Sequence, residues 1–137
     1  MNDEQLDLAR RLAAHPRFEL RAGMRLLDHE TPWVVLSVRD GRVTFAMDEV
    51  TDLPINLALS SGDRLDLTDA ATGGVLLDML GSGYLVERFS PEVGVPWSVR
   101  RYDFDDGPFY VGKSLAEACA RALLAEWETT PATPETT

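Results

Sequence analysis

Three aspartates surround a turn signal in the sequence Asp103-Phe104-Asp105-Asp106-Gly107. Carboxylates this close together could hold a divalent cation, but a calcium loop needs more oxygen ligands at regular spacing than this stretch supplies. Asp106-Gly107 is also a typical hairpin dipeptide, because both residues tolerate the positive φ that a type I′ turn requires. We therefore interpret the three aspartates as carboxylates around a turn and expect no metal ion there.

The two histidines and the single cysteine are the other residues that could act in catalysis or bind a metal. Neither His15 nor His29 has a second histidine or a cysteine at ligand spacing, and zinc needs three or four such ligands. Cys119 falls on the apolar side of a predicted helix, where burial raises the pKa of a thiol and suppresses the thiolate. The glycines at 73–74 and 81–83 lack the lysine and the strand–helix context of a phosphate loop. The sequence therefore predicts a non-enzymatic protein with no catalytic residue, metal or cofactor.

Arginines are concentrated near the N-terminus, where only one acidic residue, Glu19, stands among them between residues 8 and 27. Guanidinium groups bind carboxylate and phosphate through paired hydrogen bonds, so several of them around one cleft would favour a small anion. This candidate anion patch consists of Arg10, Arg11, Arg17, Arg21 and Arg25.

The net charge of −10 is distributed unevenly over the 137 residues. Residues 1–42 contain seven basic and seven acidic residues, whereas residues 43–137 contain six basic and sixteen acidic ones. An acidic surface repels nucleic acid and anionic membranes and attracts basic proteins. We therefore expect a partner protein with a basic surface, no membrane contact and no direct binding of nucleic acid.

Aromatic residues cluster in two predicted hairpins, and two of them, Trp33 and Tyr110, fall on the less apolar strand faces. An exposed aromatic side chain surrounded by carboxylates is a typical hot spot for a basic partner. The candidate partner surface therefore consists of Trp33, Asp103, Asp105 and Tyr110.

Three helices are expected to position these residues. The first covers residues 3–14, where apolar residues recur at helical spacing on one face. The second begins at a capping residue, either Thr68 or Asp69, and continues to Gly81. The third begins with the capping box Ser114-Leu115-Ala116-Glu117 and has an apolar face that includes Cys119.

The first hairpin is the clearest strand signal. The two-residue turn Asp40-Gly41 joins the runs 33–39 and 42–47 and pairs Leu36 with Phe45. Six residues then share one face, which we expect to be buried: Val34, Leu36, Val38, Val43, Phe45 and Met47.

A second hairpin is predicted from Trp97 to Gly112. With its turn at Asp106-Gly107, Phe104 faces Phe109. The parity of the apolar residues changes along the first strand, which predicts a β-bulge near Arg100-Arg101.

These elements predict one α+β domain over residues 1–128, with an antiparallel sheet of two hairpins plus one or two strands. About three helices cover mostly one face, and Gly73 and Gly74 are expected to permit close approach of a strand. Residues 48–67 give no clear element. Residues 129–137, rich in threonine and proline, are expected to be disordered. A single cysteine and the lack of an export signal or transmembrane run favour the cytoplasm.

Four segments of the chain resemble a family of small proteins encoded in tailed-phage and prophage genomes of GC-rich bacteria. The segments are Leu6–Leu12, Gly23-Met24, Asp66–Leu77 and Ser114–Leu124. The most specific one reads Asp66-Leu67-Thr68-Asp69-Ala70-Ala71-Thr72-Gly73-Gly74-Val75-Leu76-Leu77, a D-L-T-D-x-A-T-x-G-x-L-L motif. The first hairpin and residues 84–112 resemble the family much less. The resemblance implies a phage or mobile-element context and no particular mechanism.

The leading hypothesis is a non-enzymatic phage or mobile-element accessory protein that binds, and inhibits, a host or defence protein through an acidic surface. One alternative is sequestration of a small anionic, nucleotide-like ligand by the candidate anion patch. A second alternative is an accessory role in virion assembly. The sequence leaves homo-oligomerisation open.

Overall fold

The chain has an α+β fold in the residues that the computed structural model describes, which are 1–28, 31–46, 49–55, 64–89, 96–101 and 108–129. The helices of this part are α1 (Asp3–Ala14), α2 (Ala70–Leu80) and α3 (Leu115–Thr129). The strands are β1 (Arg25–Asp28), β2 (Thr31–Arg39), β3 (Arg42–Ala46), β4 (Val50–Pro54), β5 (Arg64–Leu65), β6 (Tyr84–Arg88), β7 (Trp97–Arg101) and β8 (Phe109–Gly112). The predicted class and helices are confirmed, and β4 and β5 occupy part of the stretch that the sequence left open.

The strands form two antiparallel sheets, so the two hairpins lie in different sheets. The five-stranded sheet has the order β4-β3-β2-β1-β5, and the three-stranded sheet has the order β6-β7-β8. Helix α3 contacts β7, β8 and both other helices, and α1 contacts β5. Buried apolar side chains from both sheets and all three helices form one core cluster. In the described part of the chain, no helix is long and apolar enough to cross a bilayer.

The first hairpin has the predicted turn but a different register beyond it. Asp40 and Gly41 both have positive φ, and Val38 pairs with Val43 as expected. A β-bulge then inserts Leu36, and Val35 rather than Leu36 pairs with Phe45. The extra residue shifts the alternation by one, so every side chain of β2 before the bulge changes face.

The prediction that Val34 and Leu36 are buried and Trp33 is exposed was therefore wrong. Leu36 is 46% exposed, whereas Trp33 is 1% exposed and its ring centroid lies 4.4 Å from that of Phe45. Val35 is also buried. Because of the bulge, the buried aromatic and β-branched residues of β2 pack in the same core as the buried residues of β3. Met47, the sixth residue of the predicted buried face, lies outside the described residues.

The bulge predicts effects of very different size for two substitutions in the same strand. Trp33→Ala should lower the free energy of unfolding by about 3–5 kcal/mol, because it leaves a large cavity in the core. Leu36→Ala should change it by less than about 1 kcal/mol, because that side chain is largely in water. Urea denaturation of both variants measures the difference, and similar losses would contradict the observed register.

The second hairpin also differs in register from its prediction. Phe109 pairs with Arg100 instead of Phe104, and Tyr110 pairs with Val99. The four described pairs between β7 and β8, which end at Arg100, run without the β-bulge that was predicted near Arg100-Arg101. Residues 102–107, which include the Asp106-Gly107 dipeptide, lie outside the described residues.

A buried carboxylate organises the connection from β5 to α2. Asp66 is only 3% exposed, and its Oδ1 accepts hydrogen bonds from the Thr68 backbone N–H (3.0 Å) and hydroxyl (2.6 Å). Its Oδ2 lies 3.2 Å from Nε of Arg25 in β1. A buried carboxylate costs several kcal/mol unless such partners compensate for its lost hydration. The β5–α2 connection is thereby held against β1.

The first turn of α2 continues this arrangement. Asp69 is the helix N-cap, and its Oδ2 accepts from the backbone N–H and the hydroxyl of Thr72, both at 2.9 Å. The Thr72 hydroxyl oxygen in turn accepts from the Arg25 backbone N–H at 2.9 Å. The sequence left Thr68 and Asp69 as alternative caps, and Asp69 is the one observed. Helix α2 ends at Gly81 as expected.

Two side chains attach α3 to the rest of the fold. Ser114 caps the helix by accepting from the Glu117 backbone N–H (3.0 Å), and its hydroxyl donates to the Leu67 carbonyl. The Glu117 carboxylate, 4% exposed as a residue, accepts from Gln5 Nε2 and from Arg121 Nη2, both at 2.9 Å. Gln5 lies in α1, so this buried carboxylate joins the first and last helices.

Gly73 permits close approach of two helices. A Cβ atom at Gly73 would lie 3.0 Å from the backbone nitrogen of Ala116 and 3.2 Å from side-chain atoms of Leu115, whereas one at Gly74 would have nothing within 4 Å. The close approach predicted for these glycines thus occurs at Gly73 alone, and its neighbour is α3 instead of a strand.

This contact predicts different effects of one substitution at adjacent positions. Gly73→Val should lower the free energy of unfolding by about 1–3 kcal/mol, because the side chain would overlap the backbone of α3. Gly74→Val should be neutral or slightly stabilising, because valine exceeds glycine in helix propensity and the site is open. The melting temperatures of the two variants measure the difference. Equal effects would show that α2 and α3 can move apart without loss of stability.

Candidate functional site

The outer face of the three-stranded sheet has the largest group of exposed apolar side chains in the described residues. Phe109 is 59% exposed, and three other large apolar residues of this face are also exposed. We call the group Leu85, Phe89, Phe109 and Val111 the apolar face. It contains four of the seven exposed large hydrophobic residues in the described part of the chain.

Strand pairing explains why these residues lie together. In one row, Leu85 pairs with Arg100, which pairs with Phe109. In the next row, Glu87 pairs with Ser98, which pairs with Val111. Residues paired across a sheet share a face, and Phe89 has the same parity as Leu85 and Glu87. The apolar side chains therefore surround a small polar centre.

That polar centre contains an ion pair and a cation–π contact. Nε of Arg100 lies 3.4 Å from Oε1 of Glu87, and its guanidinium carbon lies 5.9 Å from the ring centroid of Phe109. Interface centres are enriched in aromatic residues and arginine, because both provide broad contact area and directional polar contacts. This composition suits the face to contact with another protein.

A groove continues the apolar face around the edge of the sheet. Strand β8 is an edge strand of the three-stranded sheet. A groove of about 390 Å³ runs between β8 and helices α1 and α3. Phe109 and Val111 line this groove together with Leu124 and Arg11. An edge strand has backbone groups available for an added strand, which is a common way to bind an extended peptide.

The opposite face of this sheet is internal. Val86, Val99 and Tyr110 lie in one row across the three strands, and all three pack against or within the core. Tyr84 donates a hydrogen bond to Glu126 of α3 at 2.5 Å. Burial and this carboxylate raise the pKa of Tyr84 above its usual value. The sheet is therefore held against α3 by both apolar and polar contacts.

The two described residues of the candidate partner surface, Trp33 and Tyr110, lie in different sheets. Trp33 is in the core, which corrects its assignment to that surface, and the cause is the bulge at Leu36. Tyr110 is half-buried on the internal face of the three-stranded sheet. Asp103 and Asp105 lie outside the described residues, in the connection between β7 and β8.

The acidic excess is concentrated outside the described residues. Those undescribed stretches contain eight of the 23 acidic residues and no lysine or arginine. The described residues contain all thirteen basic residues and fifteen acidic ones. Stretches 90–95 and 102–107, which lie in the sequence between β6 and β7 and between β7 and β8, contain four of the eight acids.

The candidate anion patch is dispersed over several ion pairs. Arg10 pairs with Asp7, Arg11 with Glu128, Arg21 with Glu19 and Asp78, and Arg25 with Asp66 and Asp69. Arg17 also has an interaction of its own. Arg10 and Arg11 line different cavities. Convergence of these arginines on one cleft, which the small-anion alternative requires, is not observed in the described part of the chain.

His15 and Cys119, which the sequence offered as candidates for catalysis or metal binding, pack within the fold. His15 stacks 4.8 Å from Trp127, centroid to centroid, and its Nδ1 accepts from the Arg17 backbone N–H at 3.1 Å. Cys119 is completely buried, and burial raises its pKa to about 12. Among the described residues, no group of three or more histidine, cysteine, aspartate or glutamate side chains could hold a metal ion. His29 lies outside those residues.

Sequence reasoning missed Phe89 and Phe109 as surface residues. The available signal was the strand Phe109–Gly112, in which Phe109 and Val111 alternate with Tyr110 and Gly112. This pattern does not reveal which face is buried, because both faces contain an aromatic residue. Contact of α3 with the sheet decides it: an added Cβ at Gly112 would lie 2.7 Å from the Ala118 backbone nitrogen.

No family model, curated protein or solved structure matches the chain.

The raised pKa of Cys119 predicts a thiol that reacts only after unfolding. At about pH 8, a pKa of about 12 leaves roughly one thiolate in ten thousand, compared with about a quarter at the unperturbed pKa. Ellman's reagent should therefore react rapidly in concentrated guanidinium chloride and at least a hundredfold more slowly with the native protein.

The same pKa makes stability depend on pH. The folded protein holds the thiol proton more tightly than the unfolded chain, so this stabilisation is complete below about pH 8.5 and decreases as the pH rises towards 12. A Cys119→Ala variant should lack this alkaline contribution. In the experiment with Ellman's reagent, rapid labelling of the native protein at about pH 8 would contradict the burial of Cys119.

Proposed function

We propose that this chain is a non-enzymatic binding protein that docks a partner protein on the apolar face of its three-stranded sheet. The observation that supports this most is the exposed group of Phe109 and its neighbours around the Arg100–Glu87 pair. Water contact of such a group is unfavourable, and its burial against another protein would contribute about 25 cal/mol per Å² of apolar surface.

We infer the chemistry of the partner from acidic residues that flank the strands of this face in the sequence. Glu92 follows Phe89 within one connection, and Asp103, Asp105 and Asp106 precede Phe109 within the other. A partner with an apolar centre and basic residues at its rim would be complementary to this surface. Opposite charges at a rim mainly accelerate association and make it sensitive to salt.

The resemblance to phage and prophage proteins supports a host or defence protein as the class of partner. A partner with a basic surface includes proteins that themselves bind nucleic acid. Occupation of that surface by an acidic protein would block it without any chemical reaction. Inhibition by occupation therefore agrees with a site composed of apolar residues and carboxylates.

Substitution of one exposed apolar residue tests this proposal. Phe109→Ser should reduce capture of a partner from a GC-rich bacterial host lysate at least tenfold, about 1.4 kcal/mol, because hot-spot side chains contribute that much or more. Val50→Ser is the matched control, since Val50 is 66% exposed on the five-stranded sheet. Capture is measured by quantitative mass spectrometry of immobilised protein at low and raised salt.

Three outcomes separate the explanations. Loss of a captured protein with Phe109→Ser alone, together with weaker capture at raised salt, supports the proposal. Equal capture by both variants would exclude the apolar face as the binding surface. If sedimentation shows that Phe109→Ser dissociates a dimer of the wild-type chain, the partner of this face is a second copy of the protein.

A further inference from the structure

The direction of the backbone groups in the three-stranded sheet follows from one hydrogen bond. The Phe89 N–H donates to the Pro96 carbonyl at 2.6 Å, so this row of the β6–β7 pair is a hydrogen-bonded one. Hydrogen-bonded and non-hydrogen-bonded rows alternate along antiparallel strands. Trp97 and Val99 therefore direct their N–H and carbonyl groups away from β6 and towards β8.

Two residues of β8 direct their backbone groups to the open edge of the sheet. Tyr110 and Gly112 are the β8 partners of the two residues that face β8, so their own backbone groups face β7. Phe109 and Val111 alternate with them and therefore face away from β7. In the described part of the chain, no residue forms a hydrogen bond with the N–H or carbonyl groups of these two. Such an edge can accept an additional strand.

The open part of this edge is short and lies beside the groove. Lys113 has the same parity as Val111, and its N–H donates to the Glu117 carboxylate at 3.3 Å, which closes the edge at that point. Phe109, Tyr110 and Val111 all line the groove. Three residues of a strand extend about 10 Å, so this edge suits a short extended segment.

The wall of the groove opposite β8 favours uncharged side chains. It is formed by residues of α1 and α3, including the buried Leu124. The two arginines of this wall are already paired: Arg11 lies 3.2 Å from Glu128, and Arg121 lies 2.9 Å from Glu117. A charged side chain inserted here would lose its hydration without gaining an uncompensated partner, which is unfavourable.

We propose that the partner protein adds an antiparallel strand to β8, through an extended segment with apolar side chains on one face and uncharged ones on the other. This inference rests on the proposed function and specifies how the partner binds. The residues opposite Phe109 and Val111 would each exchange two hydrogen bonds with them and lie on the same face of the sheet. Their side chains would extend the apolar face, and the alternate side chains would enter the groove.

Two peptides that differ only in the position of their N-methyl groups test the addition of a strand. Both have a lysine at each end and three alanines that alternate with two valines. The probe is N-methylated at two alanines, which leaves the valine N–H groups for β8 and blocks the outer edge of the peptide. The control is N-methylated at the two valines, which removes the donors that the valines would direct to β8.

Binding is measured by NMR titration of the ¹⁵N-labelled wild-type chain. The probe should bind at least tenfold more tightly than the control, because the control lacks two backbone hydrogen bonds. The probe should also slow the hydrogen exchange of the Phe109 and Val111 amides. The Tyr110 and Gly112 amides should already be protected in the free protein.

A proline substitution removes one donor from β8 itself. Val111→Pro should weaken binding of the probe at least fivefold, because the ring replaces the outward N–H. The substitution is compatible with the fold, since proline is tolerated where the N–H of an edge strand faces solvent. Val111→Thr keeps the N–H and the branched side chain, and Val50→Pro removes an outward N–H from the edge strand β4. Both controls should bind the probe nearly as the wild type does, and circular dichroism establishes that each variant is folded.

The outcomes separate this inference from the proposed function. Equal affinity for the two peptides, failure of both to bind at millimolar concentration, or unchanged binding by a folded Val111→Pro variant would overturn strand addition. A wild-type dimer that Val111→Pro dissociates in sedimentation would also overturn it, since a second copy would then occupy the edge. If Phe109→Ser loses the captured partner but neither peptide binds, the face docks its partner through side chains alone. If the peptides behave as expected but Phe109→Ser captures the partner normally, the strand site stands and the proposed face is wrong.

Discussion

The buried carboxylate of Asp66 is the constraint on which the arrangement of helices and sheets depends. It is acceptable in the interior only because Thr68 donates two hydrogen bonds to it and Arg25 provides a nearby positive charge. These contacts place the segment from which α2 begins. The adjacent Leu67 carbonyl accepts the hydroxyl of Ser114, so the same segment positions the start of α3. Helix α3 then supports the three-stranded sheet and its exposed face.

The apolar face belongs to β6–β8, and helix α3 packs against the opposite side of β7 and β8. On the helices, ion pairs such as Arg11–Glu128 and Arg121–Glu117 neutralise much of the charge. The acidic excess is instead concentrated in stretches outside the described residues, including 90–95 and 102–107.

The segment Asp66–Leu77 has an architectural role in the fold. Asp66 and Asp69 satisfy backbone and hydroxyl donors, Thr72 attaches α2 to β1, and Gly73 allows α2 to approach α3. The exposed apolar face lies outside this segment, within residues 84–112.

Local patterns were sufficient for the helices, the caps and the first turn. Asp69 and Gly81 cap the two ends of α2, and Asp40-Gly41 forms the turn of the first hairpin. These features were predictable because caps and tight turns depend on residues three or four positions apart. The register beyond a turn was not determined locally. Packing of Trp33 against Phe45 requires the bulge at Leu36, and Glu117 binds Gln5 across 112 positions of the chain. Such choices depend on which surfaces meet in three dimensions, so only the tertiary structure decides which aromatic residues are core and which remain available to a partner.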